Sequence, residues 1–218
     1  MSGKVGNQAL NAIEVVILTS DYRLVSRLME EGRRRGLKMV HTADSDGIPL
    51  TAKVLVTRRG EAAVTDIGVP TVYADEYASV KSLVDRVVEV AAGRWGGGKI
   101  IISIDPGRTT GVAFMVGDLL VRTESFTELS DLEKCIREFV SNRRGIATEV
   151  LVGSGAPQYR DRVLEMIRRM PELAGTRLEI VPEEGTSKMG LSRRGRRGKD
   201  EYAAAILSVR RRHVKLGT

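Results

Sequence analysis

The chain has 218 residues, 42% of them hydrophobic and 29% charged, which is enough apolar content to bury one large core or two small ones. No apolar run approaches the roughly 18–20 residues that span a bilayer, and the opening MSGKVGNQALNA lacks the apolar stretch of a secretion signal, so a cytoplasmic protein is expected. The single cysteine, Cys135, excludes an intramolecular disulfide framework and a Cys-based zinc site, while the net charge of +7 points to a polyanionic partner.

That charge is uneven. Residues 188–215 hold ten Lys/Arg against only Asp200 and Glu201, so this segment alone outweighs the net charge of the whole chain. Glutamine is limited to Gln8 and Gln158 beside abundant Arg and Glu, a balance met in proteins of thermophiles, where ion-pair networks replace heat-labile amides.

Taken in chain order, IEVVILTS (13–20) reads as a buried strand and DYRLVSRLMEEGRRRG (21–36) as a helix, with Leu24, Val25, Leu28 and Met29 at helical spacing. LKMVHTA (37–43), AKVLVT (52–57) and PTVYAD (70–75) read as strands, and YASVKSLVDRVVEVAA (77–92) as a helix. Strands alternating with helices predict a parallel sheet, so residues 10–92 form a small doubly wound domain, Rossmann-like or receiver-like in outline. It has no glycine-rich fingerprint after the first strand, and Thr57 stands where a receiver's phosphoacceptor aspartate belongs. A scaffold or dimerisation role is the default.

GRWGGGK interrupts the periodic pattern and marks a linker at 93–98, with Trp95 as a packing anchor. KIIISID (99–105), TGVAFMVG (110–117) and LLVRTESF (119–126) then read as three consecutive strands, the last two joined by a hairpin at Gly117-Asp118. Ser130 with Glu133 three residues on forms a capping box opening a helix through about Arg143. Strand 148–155, a helix near 159–170, strand 177–182, a basic loop and a final helix at 199–212 complete a β-β-β-α-β-α-β-α order.

The first strand of this second region ends in Asp105-Pro106-Gly107 and the chain resumes with Thr110-Gly111. The last helix carries Asp200, Ala203, Ala204 and Leu207. In this element order the first strand is central, and small residues let the last helix approach it. Asp200, one turn before that patch, would then meet Asp105. Paired carboxylates repel unless a cation sits between them, and Mg²⁺ or Mn²⁺ is the hard ion that oxygen ligands favour.

With that order and those residues, the region 99–215 resembles the RNase H-like fold and, more closely, the RuvC-type Holliday-junction resolvases. The resemblance covers residues 99–212. It implies a metal-dependent endonuclease acting on structured DNA or RNA and, by analogy, a homodimer. Asp105 and Asp200 are the candidate catalytic residues, and Asp105, Asp200 and Glu201 the candidate ligands of Mg²⁺ or Mn²⁺. Arg108, Thr109, Lys188, Arg193, Arg194, Arg196, Arg197 and Lys199 are the candidate contacts to nucleic acid. SRRGRRGK carries no base-reading aromatic residue, so backbone or shape recognition is expected. Gly107 and Gly111 would let the backbone approach a phosphate.

The chain departs from the resolvase pattern at two positions: Gly153-Ser154 ends the fourth strand where an acid belongs, and Ala203 stands in place of a second aspartate on the last helix. Three other readings therefore stay open. The domain is a catalytically degenerate binder or scaffold; it cradles nucleotide phosphates in the manner of actin-like ATPases, which share the fold and an acidic first turn; or Asp105-Pro106-Gly107 is only a tight turn and Asp200 only a helix-start acid. His41 and His213 read as surface or strand-end residues, and Cys135 as an inert thiol.

Overall fold

The computed structural model describes residues 14–61, 68–94, 98–143 and 145–182, together with Ala204 and Leu207. The chain divides into two compact units, Met1–Trp95 and Gly96–Thr218. Both are mixed α/β with parallel strands.

In the first unit, β1 (Glu14–Leu18), β2 (Lys38–Thr42), β3 (Ala52–Thr57) and β4 (Thr71–Tyr73) form a wholly parallel sheet in the order β2-β1-β3-β4. Val15, Val16 and Ile17, and likewise Val54, Leu55 and Val56, are fully buried. Strands covered on both faces read as continuous apolar runs rather than alternating ones, which explains their sequences. Helix α1 (Tyr22–Arg34) starts at Asp21, whose Oδ1 accepts hydrogen bonds from the backbone N–H groups of Arg23 and Leu24. Helix α2 (Val80–Ala91) opens with a capping box between Ser79 and Ser82.

One arginine joins these two helices. Arg35, at the end of α1, ion-pairs with Glu31 at 2.6 Å and with the fully buried Asp85 of α2 at 2.5 Å, and it donates to the Lys81 carbonyl at 3.1 Å. Burial of the Glu31 carboxyl raises its pKa, but the hydrogen bonds and charges of Arg34 and Arg35 together outweigh that and hold it below the usual range.

The second unit opens with an antiparallel meander of β5 (Ile100–Asp105), β6 (Thr110–Val116) and β7 (Leu119–Phe126). Gly117, at φ 61°, makes the tight turn between β6 and β7. Strands β8 (Thr148–Gly153) and β9 (Arg177–Val181) run parallel to β5 on its other side, so the order is β7-β6-β5-β8-β9 with β5 central.

Helices α3 (Leu129–Ser141) and α4 (Pro157–Arg169) cover one face, burying Ile100, Ile102, Ile104, Phe114, Ile136, Phe139 and Ile167 in one core. Arg122 of β7 is buried in this core, its guanidinium 4.9 Å from the Phe114 ring centre and its NH1 3.3 Å from Glu124. On the opposite face Leu151, Val181 and Leu207 form a second cluster with Ile101, and Ala204 is fully buried.

One expectation needs correction. The Ser130–Glu133 capping box does not open α3; the helix begins at Leu129 after Glu128, which makes no side-chain cap. Leu129 packs against the core, and that apolar contact draws the helix start past Ser130. Strand 70–75 shortens to β4 because residues 74–76 turn into a 3-10 helix. Trp95, Ala203 and His213 lie outside the described residues. None of the helices within the described residues is long and apolar enough to cross a membrane.

Truncating Asp85 removes one of the two carboxylates on Arg35 and leaves Glu31 as its remaining ion-pair partner. We expect Asp85→Leu to cost about 1–3 kcal/mol in urea denaturation, and Arg35→Leu/Asp85→Leu to cost less than the two single Leu variants added together; strictly additive losses would show that the pair is not coupled.

Candidate active site at the end of the central strand

Side chains alternate across a strand, and β5 separates its residues accordingly. Ile100, Ile102 and Ile104 enter the large core, whereas Ile101, Ser103 and Asp105 share the other face, on which Leu207 packs. Asp105 is half-buried at the carboxyl end of the central strand.

Its neighbours in the sheet are small. Across β6 its register partner is Gly111, which in turn faces Ser125 of β7. On the β8 side, Ile104 pairs with Val152, which brings Gly153 level with Asp105. One row deeper, Ser103 lies between Ala113 and Leu151. Asp105 is thus flanked by glycine on both sides, with Ala113 and Leu151 bordering the row beneath it.

Ser103 is fully buried, and its Oγ has no hydrogen-bond partner among the described residues. Leaving a hydroxyl in that state costs about 1–3 kcal/mol. A carboxylate and an orphaned hydroxyl on one strand face make an oxygen-only pair of donors. Such a pair would suit a hard divalent cation rather than a soft one.

The turn after Asp105 is held by its own atoms. Pro106 is buried, and Thr110 Oγ1 donates to the Gly107 carbonyl at 3.4 Å. A Cβ on Gly107 would come within 3.1 Å of the Thr109 carbonyl oxygen, so this glycine has a local steric reason independent of any phosphate. Arg108 is exposed beside the site and Thr109 is half-buried.

The same rim carries the loop after β8, where Ser154 N–H donates to the Val181 carbonyl at 2.9 Å and Arg160 NH1 to the Ser154 carbonyl at 3.0 Å. Ala156 then takes φ 36° before α4, in the left-handed region that favours glycine.

Of the residues singled out from sequence, Asp105, Gly107, Arg108, Thr109 and Gly111 are together at this rim. Asp200, Glu201, Lys188, Arg193, Arg194, Arg196, Arg197 and Lys199 lie outside the described residues. Among the described residues no three His, Cys, Asp or Glu side chains cluster as a metal site. Ser103 was missed, although a lone polar residue two before Asp105 in IIISID was the available signal.

Elsewhere in the second unit, a groove of about 770 Å³ lies at the opposite end of the sheet. Two of its cations, Lys99 and Arg177, are held by the buried Glu149 at 2.7 and 3.4 Å. Cys135 is buried 3.7 Å from Glu124 Oε1.

The first unit has a rim of its own at the carboxyl ends of β1 and β3, where ligands bind in open parallel sheets. Ion pairs and hydrogen bonds fill it. The Thr19 and Ser20 hydroxyls donate to the Glu61 carboxylate, Arg58 bridges Asp21 and Asp75 at 3.2 Å each, and the Arg59 N–H donates to Asp75 at 2.7 Å. His41 Nε2 lies 3.0 Å from the Thr19 carbonyl. The Thr19 hydrogen bond chiefly holds the Glu61 carboxyl below the usual range, and the Arg59 N–H does the same for Asp75.

Because the folded pKa of Glu61 is depressed, its contribution to stability is complete above the usual glutamate range and fades as pH falls through the folded value. In Thr19→Val we expect the Glu61 carboxyl, followed by NMR titration, to move back toward the ordinary value; an unchanged titration would remove the hydroxyl as cause. In the second unit, Ala156→Gly relieves the left-handed strain, and a gain of about 1 kcal/mol is expected in urea denaturation, with a loss counting against strain.

Neither a protein-family model nor a curated protein sequence matches the chain. Among solved structures it is similar to one described as an aspartate carbamoyltransferase from Trypanosoma cruzi, with 17% identity over 79% of this chain and 59% of that one and a TM-score of 0.25. It is also similar to aspartate transcarbamoylase of the same organism in complex with phosphate, with 16% identity over 83% and 58% and a TM-score of 0.27. The chain spans less than two thirds of the length of either, and likenesses at these TM-scores decide nothing about chemistry.

Proposed function

We propose that the second unit is an RNase H-like domain of the RuvC-related kind that binds structured nucleic acid and hydrolyses its phosphodiester backbone with a divalent cation. The observation that carries this reading is the placement of Asp105. It ends the central strand of a β7-β6-β5-β8-β9 sheet, on the face that Leu207 covers. The antiparallel β5-β6-β7 meander followed by parallel β8 and β9 supports the fold assignment.

In this reading Asp105 holds Mg²⁺ or Mn²⁺, with Asp200 and Glu201 as further ligands from the last helix. A cation bound there would polarise a phosphoryl oxygen and lower the pKa of a bound water. Gly111 and Gly153 leave the flanks of Asp105 open to a phosphate, and Arg108 stands beside it as an anion contact. The arginines between Lys188 and Lys199 supply the sequence-independent grip on the backbone, which makes affinity fall as salt rises.

Gly153 favours a second reading, in which the domain binds nucleic acid without cutting it, because glycine leaves that side of Asp105 without a carboxylate. The two readings separate in one assay. Branched, duplex and single-stranded DNA and RNA are offered with and without Mn²⁺ across a salt series. We expect salt-sensitive binding and Mn²⁺-dependent cleavage of a structured substrate, with Asp105→Asn lowering cleavage at least about 100-fold while binding persists. Binding without cleavage at any Mn²⁺ concentration would leave the binder alone, and cleavage that survives Asp105→Asn would remove Asp105 from the mechanism.

A further inference from the structure

Ser103 has a structural cost and no structural reward. Its side chain is fully buried, its Oγ lacks a hydrogen-bond partner among the described residues, and alanine at the same place would fill the space without that penalty. The neighbouring position on β6 is in fact alanine, Ala113. A buried polar group that breaks the local rule marks a place where stability has been yielded for another purpose.

The position indicates that purpose. Ser103 and Asp105 are two residues apart on one strand, so their side chains leave the same face about 6.6 Å apart. Their register neighbours are Gly111 and Gly153 beside Asp105 and Ala113 and Leu151 beside Ser103, so at the Asp105 end no side chain intervenes from either adjoining strand. A serine hydroxyl is a neutral oxygen donor of the kind hard cations accept beside a carboxylate.

We propose that Ser103 is a cation-ligating residue: its hydroxyl supplies a second oxygen, from the same strand, to the divalent ion held by Asp105. This rests on the cation reading of Asp105. It adds a donor from β5 itself at a site where β8 contributes glycine instead of an acid.

The test uses the full chain without nucleic acid and follows Mn²⁺ by electron paramagnetic resonance, and Mn²⁺, Mg²⁺ and Cd²⁺ by calorimetry, on wild type, Asp105→Asn, Ser103→Ala and Ser103→Cys. Wild type should take up Mn²⁺, and Asp105→Asn should lose that uptake. Ser103→Ala should weaken it about tenfold or more while its metal-free Tm equals or exceeds that of wild type. A merely structural serine would not produce this opposition. Ser103→Cys should shift preference from Mg²⁺ toward Cd²⁺, because a thiolate is a soft ligand, and this readout stands even if the alanine variant misfolds. Loss of Mn²⁺ in Asp105→Asn with wild-type affinity in Ser103→Ala, or an unchanged metal preference in Ser103→Cys, would overturn the role of Ser103 and leave that of Asp105 standing. Absence of Mn²⁺ uptake by wild type, or uptake indifferent to Asp105→Asn, would overturn both.

Discussion

The two-residue alternation of β5 is the constraint on which the second unit depends. One strand must serve a core and a candidate site at once, and it does so by sending Ile100, Ile102 and Ile104 to one side and Ile101, Ser103 and Asp105 to the other. Its central place in the sheet makes this separation rigid, since β6 and β8 are hydrogen-bonded along both of its edges. Asp105 therefore projects from a strand that is paired on both edges, which fixes the place of its side chain.

The two units manage the carboxyl ends of their strands differently. In the first, Arg58 and Arg59 meet Asp21, Asp75 and Glu76, and Glu61 is fastened to Thr19 and Ser20, so charges are matched within the rim itself. In the second, glycine stands on either side of Asp105 in the sheet. The first rim is thus closed by its own ion pairs, whereas the sheet neighbours of Asp105 carry no side chain.

Strands and helices were legible in the sequence wherever burial is continuous, as in VVIL of β1 and KVLVT of β3, because strands covered on both faces need unbroken apolar runs. Asp105 was legible because an acid ends such a run. The start of α3 was misread because a local capping signal at Ser130 yields to the core contact of Leu129, which depends on tertiary packing. Partnerships such as Arg35 with Asp85 join residues 50 positions apart, and nothing in either local sequence announces them. The glycines flanking Asp105 acquire meaning only through register. Gly153 reads as a missing acid in the sequence and as an open flank in the sheet.

Glu149 has a consequence for how the second sheet assembles. Its fully buried carboxylate, at the beginning of β8, binds Lys99 just before β5 and Arg177 at the start of β9, so one anion clasps the entrances of three parallel strands. Sliding β8 by a single residue would turn that charge into the isoleucine-rich interior and separate it from both cations, a far larger penalty than an apolar strand would suffer. Glu149 thus acts as an electrostatic index mark that sets the alignment of the sheet, and through it decides that Gly153, and not Val152, arrives beside Asp105.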